Sequence, residues 1–494
     1  MAPRTIVIGA GVAGMTTALI LARHGHHVSL VEAFPQAAPT LRGFHRGGIY
    51  FDTGLHYTGG LAPGEILDRY LHWLDLRDVT PVPYNPMCFD RFRFSSDGME
   101  FSFPIGREQI QATLLDAFPD QRLGIITYLD DVRTAFESSP FLNPERDFSR
   151  NDLDVMLREQ SLTDYLQTHF SDDRLKSILS MHSLLYGVSP DECPFSNHAR
   201  IVGSYYQSVH GVNGGGRGVV HAFEQALNTV GVQTFFGQAA HGIVLDTTGD
   251  IRGVELKNGE ILKSTQIVCT THPSVLAHLL PAEAMRPAFR RHMQSLEDTP
   301  SAYMLFGISD APLDLLDRSN LFVCPDTDVP SFFRPGRHPE SGPFYIASTE
   351  QPGNATSRAI IAIAPGHASM VDAWKETHTG RRPNSYHQHK SERLKAMRDR
   401  LLDSAPELSS VRFIDGATPL TLRDYMRTPT GSLYGARHSI HQLNPMPVTR
   451  IPGLMLAGQS IVAPGLLGAI ISAVLTCGFL VGHDIIRKEL RACH

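Results

Sequence analysis

The chain has 494 residues, 42% hydrophobic and 19% charged, which is enough to enclose two or three structural units and too apolar for extended disorder. Its 44 basic and 50 acidic residues are well mixed, for a net charge of −6, which excludes the basic face of a nucleic-acid binder. Six cysteines without a CxxC pair, and histidines whose clusters (His24–His27, His387–His389) lie in polar, loop-like contexts without carboxylate partners, suggest neither a disulfide framework nor a metal site; a reducing, cytoplasmic compartment fits.

In chain order, RTIVIGA, GVAGMTTALILARHG and HHVSLVEA read as strand, helix and strand over residues 4–31, with Gly25 as the helix stop. A βαβ start implies a parallel sheet. Glycines interrupt this apolar run where a secretory signal would be continuous. From about Gly60 to Arg200 helical patterns dominate, among them REQIQATLLDAF, with Ile110, Leu114, Ala117 and Phe118 on one face, and SLTDYLQTHF, with Ser161 as N-cap. After NGGGRGVVHAFEQAL, another helix, VQTFFGQ, HGIVLD, IRGVELKNGE and STQIVCT read as short strands. SAYMLFGIS, FYIAST and AIIAIAP predict a second sheet, followed by a polar helix from about Ser391 to Ser404. The run from Ile461 to Gly482 is long enough to span a bilayer, but Pro464 and Gly465 break it, and a buried helix from about Leu466 is expected.

Two constellations carry chemistry. Gly9, Gly11 and Gly14 form GxGxxG between a strand and a helix, and Glu32 ends the next strand. Gly9 permits the tight turn, Gly11 the approach of a pyrophosphate, and Gly14 close packing of helix on strand, while the acid is placed to hold a ribose. Near the C-terminus, PGLMLAGQSIVAPGLLGA repeats the strand, glycine turn and helix. Two such turns suit a flavin adenine dinucleotide, whose length needs both.

Together with GIYFDTGLHYTGG, GGGRGVVHAFEQAL, LKNGEILKSTQIVCTTHP and TPLTLRDYMRTPTGSLYG, these segments resemble, in order, the phytoene desaturase and carotenoid isomerase superfamily, most of all its retinol saturase branch. The resemblance implies an α/β fold: a Rossmann-type, amine-oxidase-like FAD domain built from residues 1–62, 195–290 and 420–494, and a discontinuous α+β substrate domain from 63–194 and 291–419. It implies FAD contacts from Gly9, Gly11, Val12, Ala13, Gly14 and Glu32, from Ala240 at the adenine, from Gly458 and Gln459 at the second turn, and from Leu466 and Leu467 facing the flavin ring. In this family the FDTG turn passes the isoalloxazine, so Gly54 and Leu55 are cofactor-side positions, and His56, Tyr57 and Tyr434 are the catalytic candidates. The alternative for the turn is that Phe51 and Tyr57 are core and Asp52 is a cap. Two departures stand out: Ala38 and Pro39 replace a Gly-Gly pair, and Gln459 replaces the acid usual in phytoene desaturases.

The implied reaction is hydride transfer between flavin N5 and a carbon of a conjugated, apolar substrate, most simply reduction of a C=C bond, with desaturation or cis-trans isomerisation as alternatives. With no second GxGxxG, an external electron donor or acceptor is expected. Peripheral membrane contact could draw on apolar residues near Leu184 and Phe479. An amine-oxidase-like enzyme and a GDI-like prenyl-lipid carrier without flavin are the readings from other classes.

Overall fold

The computed structural model describes residues 2–147, 159–351 and 354–493. Its first sheet holds β1 (Arg4–Ile8), β2 (His27–Glu32), β3 (Gln233–Phe236), β4 (Gln266–Cys269) and β5 (Leu454–Leu456), all parallel, in the order β3-β2-β1-β4-β5. β1 is central, and its Ile6, Val7 and Ile8 are buried on both faces, which explains why the strand reads as an uninterrupted apolar run. Helix α1 (Val12–Arg23) returns from β1 to β2 and packs its Met15 and Leu19 into one core with α2 (Gly215–Thr229) and α3 (Gly465–Cys477).

Helix α3 is the apolar segment expected to be buried, and Leu466, Ile470, Ile471 and Val474 do enter this core. The helical run Gly465–Ala492 is long and apolar enough to cross a membrane by length and composition, yet 61% of its apolar window is buried within the fold.

The second sheet has seven strands, in the order Arg412–Ala417, Ser301–Ser309, Asn354–Gly366, Phe344–Gln351, Asn320–Cys324, Asp90–Phe94 and Glu100–Phe103. All its pairings are antiparallel except that of Asn320–Cys324 with Asp90–Phe94. Phe92, Phe103 and Phe322 share a core with the helical region, including Leu114, Tyr128 and Ile178, whereas Tyr303, Leu305 and Ile360 share another with Met397 and Leu401 of the helix Asn384–Ser404.

Several expectations change. A boundary at residue 195 would send helix Phe195–Gln207 to the dinucleotide unit, but its Ala199, Val202 and Tyr206 are buried with Tyr128 and Leu129 in the helical core. The hairpin Phe44–Arg46/Ile49–Phe51 lies within the first unit's sequence but leans on the second sheet, with Phe51 5.6 Å from Phe306 between ring centroids. Phe118 is only half buried and Ala117 is exposed, because the helix ends at Ala117 and the chain turns at Pro119. The polar helix begins at Asn384, directly after Pro383, so His387–His389 are helical rather than in a loop. Ala38, where the resemblance leads one to expect glycine, keeps a glycine-like backbone with φ +39°, held by its N–H donating to Ala10 O at 2.9 Å.

Candidate active site

The first glycine turn is built by close packing. Gly9 has φ +101°, and a β-carbon there would sit 2.7 Å from Thr270 Oγ1. One on Gly14 would lie 1.8 Å from the Gly9 carbonyl oxygen, so α1 meets β1 at a distance only glycine allows. Gly11 differs: a β-carbon there would meet nothing within 4 Å. Gly11 is also the N-cap of α1, with no side-chain cap and no acid in the first turn, so the first-turn amides of Val12, Ala13 and Gly14 face that opening without a counter-charge.

Glu32 ends β2, largely buried, and its two carboxylate oxygens accept from Ala10 N and Phe34 N, each at 2.8 Å. This ties the end of β2 to the glycine turn and leaves the carboxylate's remaining lone pairs for a ribose. The chain leaving β3 returns to the same place, with Gly237 N donating to Phe34 O and Gln238 N to Glu32 O, so Ala240 opens its strand close to Glu32.

The second turn shares a residue with the first. Thr270, which follows β4, donates its hydroxyl to Ile8 O (3.0 Å) and Gly9 O (3.1 Å), and its own carbonyl lies 3.1 Å from where a β-carbon on Gly458 would stand. Gly458 has φ +116°, and its N–H donates to the buried Ser472 Oγ of α3 at 2.9 Å. Gln459 O accepts from His438 Nε2 at 2.7 Å. Helix α3 also starts without a side-chain cap or a first-turn acid. Val12, Leu55, Leu466 and Leu467 gather in one apolar cluster, so the two turns and the FDTGL segment converge. The uncapped helix ends, the opening at Gly11 and the acid at Glu32 fit a dinucleotide with a long apolar ring system.

Asp52 is a cap, as the alternative reading had it. It is 1% exposed and accepts from Gly216 N at 2.7 Å and Gly54 N at 3.4 Å, closing the N-terminus of α2, while Phe51 is fully buried. Burial raises its pKa from 3.8 to about 6, against the opposing pull of the amides of Gly216, Gly54, Leu55 and Thr53. A raised carboxyl contributes stability that is complete below about pH 4 and lost as pH rises through about 6, an effect of up to about 3 kcal/mol. In Asp52→Asn, which can still accept from Gly216, this slope should be missing: the difference in urea midpoint between variant and wild type should shift in the variant's favour from pH 4 to pH 7. Parallel pH profiles would show that Asp52 titrates normally.

Beyond this turn lies a cluster of aromatic side chains. The ring of His56 is 5.6 Å from Tyr345, and both its nitrogens are shielded from solvent without a hydrogen-bond partner; burial lowers its pKa to about 4. Tyr57 stacks on Tyr84 (5.6 Å) and Tyr345 (6.1 Å) and meets Tyr205 edge-on (5.4 Å). Tyr434 sits where the chain approaches the second turn: Ala436 N donates to Ser460 Oγ at 3.0 Å. Burial raises the pKa of Tyr205 and of Tyr345, and nearby Tyr434 adds to both shifts. The fold thus brings His56, Tyr57 and Tyr434 to one aromatic cluster around Tyr205 and Tyr345.

What holds that cluster carries no motif in the sequence. Tyr57 OH donates to Asp90 Oδ2 at 2.9 Å; His182 Nε2 lies 3.1 Å from the same oxygen; Asn320 Nδ2 donates to Asp90 Oδ1 at 2.8 Å; and Tyr345 OH donates to Asn320 Oδ1 at 3.1 Å. Asp90, His182 and Asn320 are completely buried. Burial, followed by the Asp90 carboxyl, holds the Tyr57 phenol well above its ordinary pKa. A signal was present: alternation along DRFRF puts Asp90 on the same inward face as Phe92 and Phe94. No group of three or more His, Cys, Asp or Glu among the described residues could hold a metal.

Among known proteins, the chain is 25% identical to the all-trans-retinol 13,14-reductase of Rattus norvegicus, over 97% of this chain and 86% of the relative. It is 22% identical to a 4,4'-diapophytoene desaturase of Staphylococcus haemolyticus, over 89% of each. An oxidoreductase structure from Methanosarcina mazei superposes with a TM-score of 0.66 at 16% identity, covering 96% of this chain and 99% of that one, and so supports the fold. The profile of the flavin containing amine oxidoreductases matches residues 12–477, nearly the whole chain, so the protein belongs to that flavin-dependent family.

Proposed function

We propose that the protein is an FAD-dependent reductase of a C=C bond in a conjugated, largely apolar substrate. The observation that carries this reading is the aromatic cluster at His56 and Tyr57. Its carboxyl, Asp90, is already committed to Tyr57, His182 and Asn320, which leaves it no free anion to recognise a cationic amine. The named relatives, a retinol reductase and a diapophytoene desaturase, act on polyenes by their names and so support the substrate class.

The first-turn amides behind Gly9, Gly11, Val12, Ala13 and Gly14 would hold the pyrophosphate, with Gly458 and Gln459 opposite; Glu32 would hold the ribose and the Ala240 backbone the adenine. Gly54, Leu55, Leu466 and Leu467 would border the flavin ring, which when bound supplies hydride exchange at N5. Leu55 and the aromatic cluster would exclude water, and the two unpartnered nitrogens of His56 would be open to the flavin edge or the substrate. A surface groove of about 630 Å³ is lined by Tyr84, Ile105, Val209 and His210 among others, and because Tyr84 also stacks on Tyr57 it would serve as the substrate's route. Electrons come from an external donor. Of the two expected apolar surfaces, Phe479 is exposed whereas Leu184 packs against the helical core; exposed Leu443, Met446 and Val448 in another loop add apolar surface for peripheral membrane contact in the cytoplasm.

FAD should be held without a covalent link, since Cys477 is fully buried in α3 with its Sγ 3.9 Å from Thr17 O. Acid precipitation should release the yellow chromophore to the supernatant, and photoreduced protein should be reoxidised anaerobically by a conjugated polyene. Colour kept in the pellet would refute the non-covalent site, a colourless protein would select a flavin-free lipid carrier, and bleaching of the oxidised protein by a saturated polyene precursor would select the desaturase.

A further inference from the structure

Reduction of a C=C bond needs a proton as well as a hydride, and the five tyrosines grouped around His56 and Tyr57 differ in what their hydroxyls bind. Tyr57 donates to Asp90, Tyr84 to His56 O (3.2 Å) and Tyr345 to Asn320. Tyr434 reaches Leu184 O at 3.5 Å. Tyr205 alone among these five makes no hydrogen bond among the described residues. His56, neutral at physiological pH because burial lowers its pKa to about 4, has no imidazolium proton to give.

We propose that Tyr205 is the proton donor of the double-bond reduction; this rests on the reductase reading above. The position of Tyr205 is fixed by backbone packing. A β-carbon on Gly59, three residues after His56, would stand 2.4 Å from Tyr205 N, so helix Phe195–Gln207 is pressed against the segment that carries His56 and Tyr57. The Tyr205 ring then meets Tyr57 edge-on at 74°. Burial raises the phenol's pKa, with Tyr434 and Asp90 adding to the shift, so its proton is in place throughout the working pH range.

When bound, the reduced flavin would supply the hydride that forms a C–H bond at one carbon of the double bond, and the π electron pair would move to its neighbour. That carbon takes the proton as the Tyr205 O–H bond breaks, leaving a phenolate. The phenolate regains a proton from water between turnovers; Ser208 and Val209, three and four residues further on, line the surface groove.

The test compares Tyr205→Phe holoenzyme with wild type, and with Tyr206→Phe, whose hydroxyl instead pairs with Tyr128 at 3.0 Å. In Tyr205→Phe, flavin content and the affinity of the oxidised holoenzyme for a conjugated polyene, read from the polyene's absorbance shift, should be unchanged. Anaerobic reoxidation of the reduced flavin by that polyene should slow by about 100-fold or more. Tyr206→Phe should stay within about threefold of wild type on the same scale. Equal rates in Tyr205→Phe and wild type would overturn the proposal and leave the reductase reading standing, and so would a loss of polyene affinity parallel to the loss of rate, which would make Tyr205 a binding residue. A wild-type protein whose reduced flavin no polyene reoxidises would overturn the reductase reading and the proton donor with it.

Discussion

Gly11→Val should give a folded, colourless protein, and Gly14→Val should give little folded protein at all. The two glycines belong to one motif, but their surroundings differ. A β-carbon at Gly11 meets nothing within 4 Å, and the backbone there has φ −72°, which valine adopts without strain. Its branched side chain would stand in front of the uncapped amides of α1, where a pyrophosphate has to approach. At Gly14 the first added carbon would lie 1.8 Å from the Gly9 carbonyl oxygen and 3.0 Å from Thr270 Oγ1. Neither the turn nor the helix can retreat without opening the central sheet, so the cost should be at or above about 3 kcal/mol. Circular dichroism and flavin absorbance read the two outcomes separately. A yellow Gly11→Val protein would show that the turn is only structural, and a well-folded Gly14→Val would show that helix and strand are not in close contact.

The largest loss of stability away from the glycines is expected at Asp90. Its two oxygens serve Tyr57, His182 and Asn320, all buried, and removing the carboxyl strands all three. Each stranded donor costs about 1–3 kcal/mol, so Asp90→Ala should lose at least about 3 kcal/mol, whereas Tyr57→Phe, which removes one donor and leaves the other two bonds intact, should lose about 1–2 kcal/mol. The three contacts form one network, so the double variant should lose less than the sum of the singles. Chemical denaturation of the flavin-loaded forms checks this; a loss below about 1 kcal/mol for Asp90→Ala would mean that the network closes around water instead.

These two sites also show what the sequence could reveal. Gly9, Gly11, Gly14 and Glu32 were legible because the turn, the helix start and the acid are local features with fixed spacing. Gly458 was legible for the same reason, although what joins it to the first turn, Thr270, follows a strand with no motif of its own. That Asp52 caps its own turn was one of the two readings the sequence offered, but its second partner, Gly216, is 164 residues away and makes it the cap of a helix as well. Asp90 lies 92 residues from His182 and 230 from Asn320, and only topology brings them together. The alternation in DRFRF could have marked Asp90 as a buried acid, but nothing in the sequence named its partners. The boundary at residue 195 came with the resemblance, which says nothing of the core that helix Phe195–Gln207 shares with Tyr128 and Leu129.

The most direct measurement is the mass of the product when photoreduced, flavin-loaded protein is mixed with a conjugated polyene in the absence of oxygen. The flavin band should return and the polyene should gain two mass units, one equivalent for each flavin reoxidised. A product of unchanged mass with altered double-bond geometry, or one that has lost two mass units to the oxidised protein, would contradict it.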